Sequence, residues 1–371
     1  MKKVILTGAA LIGFVAVSFA QNNLSTVNQT VGSNNATVNQ QFIDLGRQLG
    51  VPDGGKNQST ITQTGVNASN GNNANVLQIG TNTSTATQVG YNNNAIVDQR
   101  SNAERAGAGL ENVATINQGT SGANGDTHDN LANTTQKGHN NTSTTTQTGI
   151  SHEAYVDQQS ALTNGQATIT QSGTDHLASI VQNGSSVNPG GMYGPNSAFI
   201  TQSGQNQRGF VTQLTDGNNA TLEQSGNNNQ ATVNQGTAGE LPGNSGDHTA
   251  LVQQFGSFDV STITQTGTQN SAKTYQTEYD NQIVIVQSNG LNRAAMSQQD
   301  GTSNRANITQ SGNNNTLMGL SDEYARQSGT NNQFISNQSG GFGTIQLGQT
   351  GTGNIANVTQ SGGGTVIVPT P

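Results

Sequence analysis

The chain has 371 residues, of which 30% are hydrophobic, 4% aromatic and 9% charged. Ordinary domains are roughly 45–50% apolar, so a single thick hydrophobic core is excluded, and the low charge excludes the charge-rich kind of disorder. A net charge of -8 argues against a nucleic-acid partner, and the lack of Cys removes disulfide staples and a thiol nucleophile.

At the N-terminus, "MKKVILTGAALIGFVAVSFA" joins Lys2 and Lys3 to an apolar run and a small-x-small site at Ser18-Phe19-Ala20. This predicts a secretory signal peptide over 1–20, with Gln21 as the first mature residue. The run is short for a membrane span, and nothing after it is apolar enough to stop transfer. Without Lys2 and Lys3 the net charge moves from -8 to -10.

From 21 to 360 the sequence repeats. Steps of eleven residues join Gln29 to Gln40, Gln88 to Gln99, Gln136 to Gln147 to Gln158, and Gln171 to Gln182. The same step recurs through Gln202–Gln235, Gln254–Gln298 and Gln338–Gln360. Before many anchors stands Asn-x-Ala-x-(Val/Ile)-x-Gln, as in Asn229-Ala231-Val233-Gln235. Its period of two is that of a β-strand, so Asn, Ala, Val/Ile and Gln share one face. After anchors such as Gln147, Gln171 and Gln224, Gln-x-Gly supplies a tight turn. Two arms of about 11 residues then make one coil.

A strand with two small apolar residues cannot bury a face alone. Two facing arms, stacked coil on coil, enclose a thin core. The expectation is an all-β fold, a β-solenoid of stacked strand-turn-strand coils that is cross-β when assembled. Inward amides would be ruinous if unpaired, but at ~4.8 Å spacing each can donate to one neighbouring level and accept from the other. The predicted ladder comprises Gln29, Asn34, Gln40, Asn93, Gln99, Gln147, Gln171, Asn196, Gln202, Asn218, Gln224, Asn229, Gln235, Gln265, Asn270, Gln276, Asn281, Gln287, Asn304, Gln310, Asn354 and Gln360. Insertions rich in Gly, Asp, Pro and Asn near 41–56, 100–111, 119–129, 183–195 and 236–247 read as loops on one edge, and a further arm is an open reading for 41–56. Near Gln327 the pattern is poor and puts Glu323 in an inward slot. The tail, 361–371, offers Thr365 to Val368 as one last strand, with Pro369 and Pro371 to blunt its edge.

The pattern (Ser/Asn)-x5-Gln-x4-Asn-x5-Gln, as at Asn23-Gln29-Asn34-Gln40, Asn218-Gln224-Asn229-Gln235 and Asn270-Gln276-Asn281-Gln287, closely resembles the curlin repeat of curli subunits, the secreted bacterial functional amyloids. The resemblance implies export through an outer-membrane curli-type secretion channel and growth from a nucleator subunit. The implied product is a homopolymeric adhesive fibre of the biofilm matrix on the bacterial cell surface. The chain departs from shorter curlins in its length, its insertions, and in His152, His176, His248 and Asp259 at the inward Asn slot. Major subunit, nucleator and specialised long variant are all open.

No catalytic residues, metal or cofactor are expected. The five His lack metal-ligand spacing, and three fall in the Asn slot, where imidazole can stand in for an amide. Asp126, His128 and Asp129 read as a polar loop rather than a cation site. Two alternatives remain. A non-polymerising adhesin would need capped ends. An ice-binding protein would need Thr-x-Thr pairs on successive coils of one sheet. Thr60/Thr62, Thr85/Thr87, Thr144/Thr146, Thr168/Thr170 and Thr262/Thr264 are such pairs, but Tyr155, Phe199, Phe210, Lys273 and Val284 take the same outward slot elsewhere, so the array is expected to be broken.

Overall fold

The computed structural model describes residues 18–19, 23–41, 57–65, 71–101, 111–119, 127–159, 164–184, 194–237 and 246–368. Most of the predicted signal segment and the greater part of each predicted insertion lie outside the described residues. Among the described residues all regular structure is β, and the strands pair in parallel as a β-solenoid. The chain divides into two compact units, residues 1–183 and 184–371.

In the first unit successive strands alternate between two sheets. One stacks Leu24–Thr30, Asn57–Thr64, Asn82–Val89, Asn112–Gln118, Thr142–Ile150 and Gln166–Thr174. The other stacks Ser18–Phe19, Asn35–Gln41, Asn73–Ile79, Asn94–Arg100, Leu131–Lys137, Glu153–Gln158 and Leu177–Gln182. Asn35–Gln41 and Asn57–Thr64 fall in opposite sheets, so alternation holds across 42–56 and no arm is needed there to keep the parity.

Two-residue periodicity sets the burial. Ala74, Val76, Ala86, Ala95, Val97, Ala114 and Ile116 point between the sheets and are buried in one cluster. Each buried Val or Ile contributes roughly 1.5–3 kcal/mol, which a single strand could not collect without its facing arm. The turns are equally tight. Gly149 has φ +123, and a Cβ on it would lie 2.0 Å from the Gly173 carbonyl oxygen. Only glycine permits coils to approach this closely at that backbone conformation.

The outward face of the first of these sheets carries two files in register. One runs Thr26, Thr60, Thr85, Thr115, Thr144 and Thr168; the other runs Asn28, Thr62, Thr87, Asn117, Thr146 and Thr170. Four of the five Thr-x-Thr pairs therefore share one sheet, with Asn117 standing between Thr87 and Thr146 in the second file. Tyr155 belongs to the facing sheet, and Phe199, Phe210, Lys273 and Val284 belong to the second unit. Arms that interrupt the array in sequence do not interrupt it in space.

The second unit repeats the plan. One sheet stacks Ser197–Gln205, Asn219–Gln224, Thr249–Gln254, Ser271–Gln276 and Arg293–Gln299, then a split strand, then Gly343–Thr352. The other stacks Arg208–Gln213, Gln230–Gln235, Val260–Gln265, Gln282–Ser288, Arg305–Asn313, Gln333–Gly341 and Ile355–Ser361. Gly364–Val368 pairs in parallel with Gly343–Thr352.

The split strand corrects the reading of Glu323. Thr316–Met318 and Ala325–Thr330 both pair with Arg293–Gln299 and with Gly343–Thr352, as two halves of one arm. Leu317 and Ala325 fill the two inward apolar slots, and the six residues 319–324 loop out between them. Glu323 points outward and pairs with Lys273 and Arg293 at 2.7 Å each. A buried carboxylate is avoided by bulging the chain.

Candidate stacking interface

The inward Gln side chains form a continuous amide column in each sheet of each unit. In the first unit Nε2 of Gln29 donates to Oε1 of Gln63 at 2.7 Å, followed by Gln63 to Gln88, Gln88 to Gln118, Gln118 to Gln147 and Gln147 to Gln171 at 2.8 to 3.0 Å. The facing column runs from Gln40 through Gln78, Gln99, Gln136 and Gln158 to Gln182. In the second unit one column runs from Gln202 through Gln224, Gln254, Gln276, Gln298 and Gln327 to Gln349. Its facing column runs from Gln213 through Gln235, Gln265, Gln287, Gln310 and Gln338 to Gln360. Every one of these bonds donates toward the Gln of higher residue number.

The other amide hydrogen crosses to the facing arm. Gln224 Nε2 also donates to the Arg208 carbonyl at 3.1 Å, and Gln235 Nε2 to the Asn219 carbonyl at 3.1 Å. One Gln thus ties a coil to the next coil and closes the coil it belongs to. With both hydrogens and the oxygen engaged, a wholly buried amide incurs little net desolvation cost.

The Asn column has amide-to-amide rungs, Asn82 to Asn57, Asn112 to Asn82, Asn93 to Asn72, Asn130 to Asn93 and Asn304 to Asn281, and adds bonds to the backbone. Its oxygen accepts the backbone N–H of the equivalent residue one coil on, as Asn229 Oδ1 does from Asp259 at 2.9 Å and Asn281 Oδ1 from Asn304 at 3.1 Å. Asn34, Asn196 and Asn218 accept in the same way from Asn72, Asn218 and His248. Its Nδ2 donates to turn carbonyls: Asn229 to Ser225 and Gly256, Asn270 to Thr266 and Asn289. Asn93 donates both to Val89 and to the side chain of Asn72, and Asn354 donates to Thr350. Asn is therefore chiefly the turn clamp and Gln the coil-to-coil rung. Sequence spacing shows that both face inward, but not that the shorter amide bonds mainly to backbone groups of the turns.

Substituents in the Asn slot follow the same pattern. His152 is buried, and its Nε2 lies 3.1 Å from the Thr148 carbonyl while its Nδ1 accepts the His176 N–H at 3.4 Å. A carbonyl can only accept, so Nε2 carries the proton and the ring is neutral. His176 stacks on it with centroids 4.8 Å apart and 4° between planes, and His248 Nδ1 accepts from Asn270 N. Burial, with the neighbouring His176, pushes the His152 pKa down to about 4. Asp259 keeps half of the pattern. Its Oδ1 accepts the Asn281 N–H at 3.0 Å, but Oδ2 stands in the place of the Asn donor, buried and without a partner. Burial is the main cause that raises its pKa to about 7, with Asp280 and Glu278 adding to the shift.

Asp126 lies outside the described residues. His128 Nδ1 is 2.8 Å from Asp129, and its ring stacks on Tyr91. Among the described residues no three His, Cys, Asp or Glu gather as a metal set.

A sequence model of the curlin-associated repeat matches residues 127–159, in the first unit, and 196–226, in the second. No curated protein matches the chain. Each matched stretch is flanked by strands that carry the same Gln rungs in the same register. The chain therefore carries the curlin-associated repeat in two stretches, one in each unit.

Proposed function

We propose that the protein is a structural subunit of an extracellular curli-like amyloid fibre that mediates surface adhesion and biofilm matrix formation. The observation that carries this reading is the unbroken Gln column in parallel, in-register strands, which is the bonding of cross-β stacking already present within one chain. Copies would stack coil on coil, after export through a curli-type outer-membrane channel and initiation by a nucleator subunit. The role is mechanical, and no catalytic step is needed.

The test is assembly of the purified mature chain, followed by thioflavin-T binding and fibre diffraction. A meridional reflection near ~4.7 Å is expected. A chain that stays monomeric for days without either signal refutes the proposal. Gln224→Ala should slow assembly more than outward Thr232→Ala, and equal effects would sink the ladder as the cause.

A further inference from the structure

We propose that the two-file threonine face of the first unit is an ice-binding surface whose ligand is crystalline water. The lattice is two-dimensional. Six successive strands repeat at ~4.8 Å, and the two files lie about 6.7 Å apart along each strand. Both repeats fall close to oxygen repeats on the faces of hexagonal ice, so hydroxyls held at these points hold first-layer water near lattice positions. Thr suits the task because its β-branch leaves little χ1 freedom, which fixes both hydroxyl and methyl.

Three features of this face bear on that role. None of the ten threonines in the two files is buried, and among the described residues none of their hydroxyls has a protein partner. No outward position on these six strands is charged. The facing sheet of the same unit, built from the same repeat, carries Asp98, Arg100, Lys137, Glu153 and Asp157 outward. In the second unit the corresponding positions include Phe199, Glu223 and Lys273. The stacking ladder needs only the inward residues, so it gives no reason for one outward face alone to be kept uncharged and in rank.

The experiment uses the full mature chain, freshly purified and unassembled, with thermal hysteresis and adsorption of fluorescently labelled protein to a single ice crystal as readouts. The wild type should coat the crystal and arrest its growth. Thr115→Lys and Thr85→Lys, in the middle of the array, should lose both, while Thr135→Lys on the facing sheet should keep both. Circular dichroism identifies any variant that has lost the fold. Failure of the wild type to adsorb overturns the proposal, as does equal behaviour of the two faces. A Thr115-sensitive pairing of copies, or binding to an insoluble glucan, without ice adsorption also overturns it. Fibre assembly is read separately through Gln224→Ala, so either proposal can fail alone.

Discussion

At the corner slot the first unit carries His152 and His176, whereas the second carries Asp259 between Asn229 and Asn281 as well as His248 between Asn218 and Asn270. All four replace Asn, and His152, His248 and Asp259 keep the acceptor that takes the next coil's N–H. They differ at the donor. Neutral imidazole retains an N–H at Nε2, while an ionised carboxylate has none to offer. His152 and Asp259 therefore respond to pH with opposite sign. His152 has its pKa lowered in the fold, so stability is full above about 6.5 and is lost as pH falls toward 4. Asp259 has its pKa raised, so stability is full below about 4 and is lost as pH rises toward 7.

The strongest way to break this contrast is Asp259→Asn, which restores the missing donor. It should stabilise the second unit at pH 8 by on the order of 4 kcal/mol, as an upper figure, and leave it unchanged near pH 4. Denaturant unfolding at the two pH values measures the difference, and an equal shift at both would refute the account. Next in size, His152→Asn should stabilise the first unit near pH 4 by about 3 kcal/mol and do nothing at pH 8. Amide exchange would sharpen the comparison without mutation. Opening near His152 should quicken in acid, and opening near Asp259 should quicken above neutrality. The smallest effect belongs to Glu323→Gln, outside the corner. Its pairs with Lys273 and Arg293 are partly exposed, so the cost should be about 0.5 kcal/mol and should fade with salt.

Much of this was legible in the sequence. A period of two between Asn, Ala, Val/Ile and Gln, repeated at eleven, dictates strands, an inward face and stacking. The inward position of His152, His176, His248 and Asp259 follows from the same count. What the count does not carry is sheet membership. Tyr155 and Thr144 occupy equivalent outward slots, but on opposite sheets, so four Thr-x-Thr pairs that share one sheet look scattered along the chain. Slot counting also assumed that each arm is unbroken, which misplaced Glu323 where 319–324 bulges out. The Asn clamp was hidden for another reason: most of its partners are backbone groups, which carry no residue signature.

One consequence remains in the Gln columns, whose bonds all point the same way. Such a column has a chemical head and tail. One end of a stack offers carbonyl oxygens and the other offers N–H groups. Turning one stack over would set oxygen against oxygen, or hydrogen against hydrogen, at every rung of the joint. In the proposed fibre a seed would accept a new copy in only one orientation at each end, and its two ends would present different surfaces to an incoming chain. Two-colour growth from a marked seed would show this as unequal elongation at the two ends, an asymmetry written into the direction of a side-chain amide.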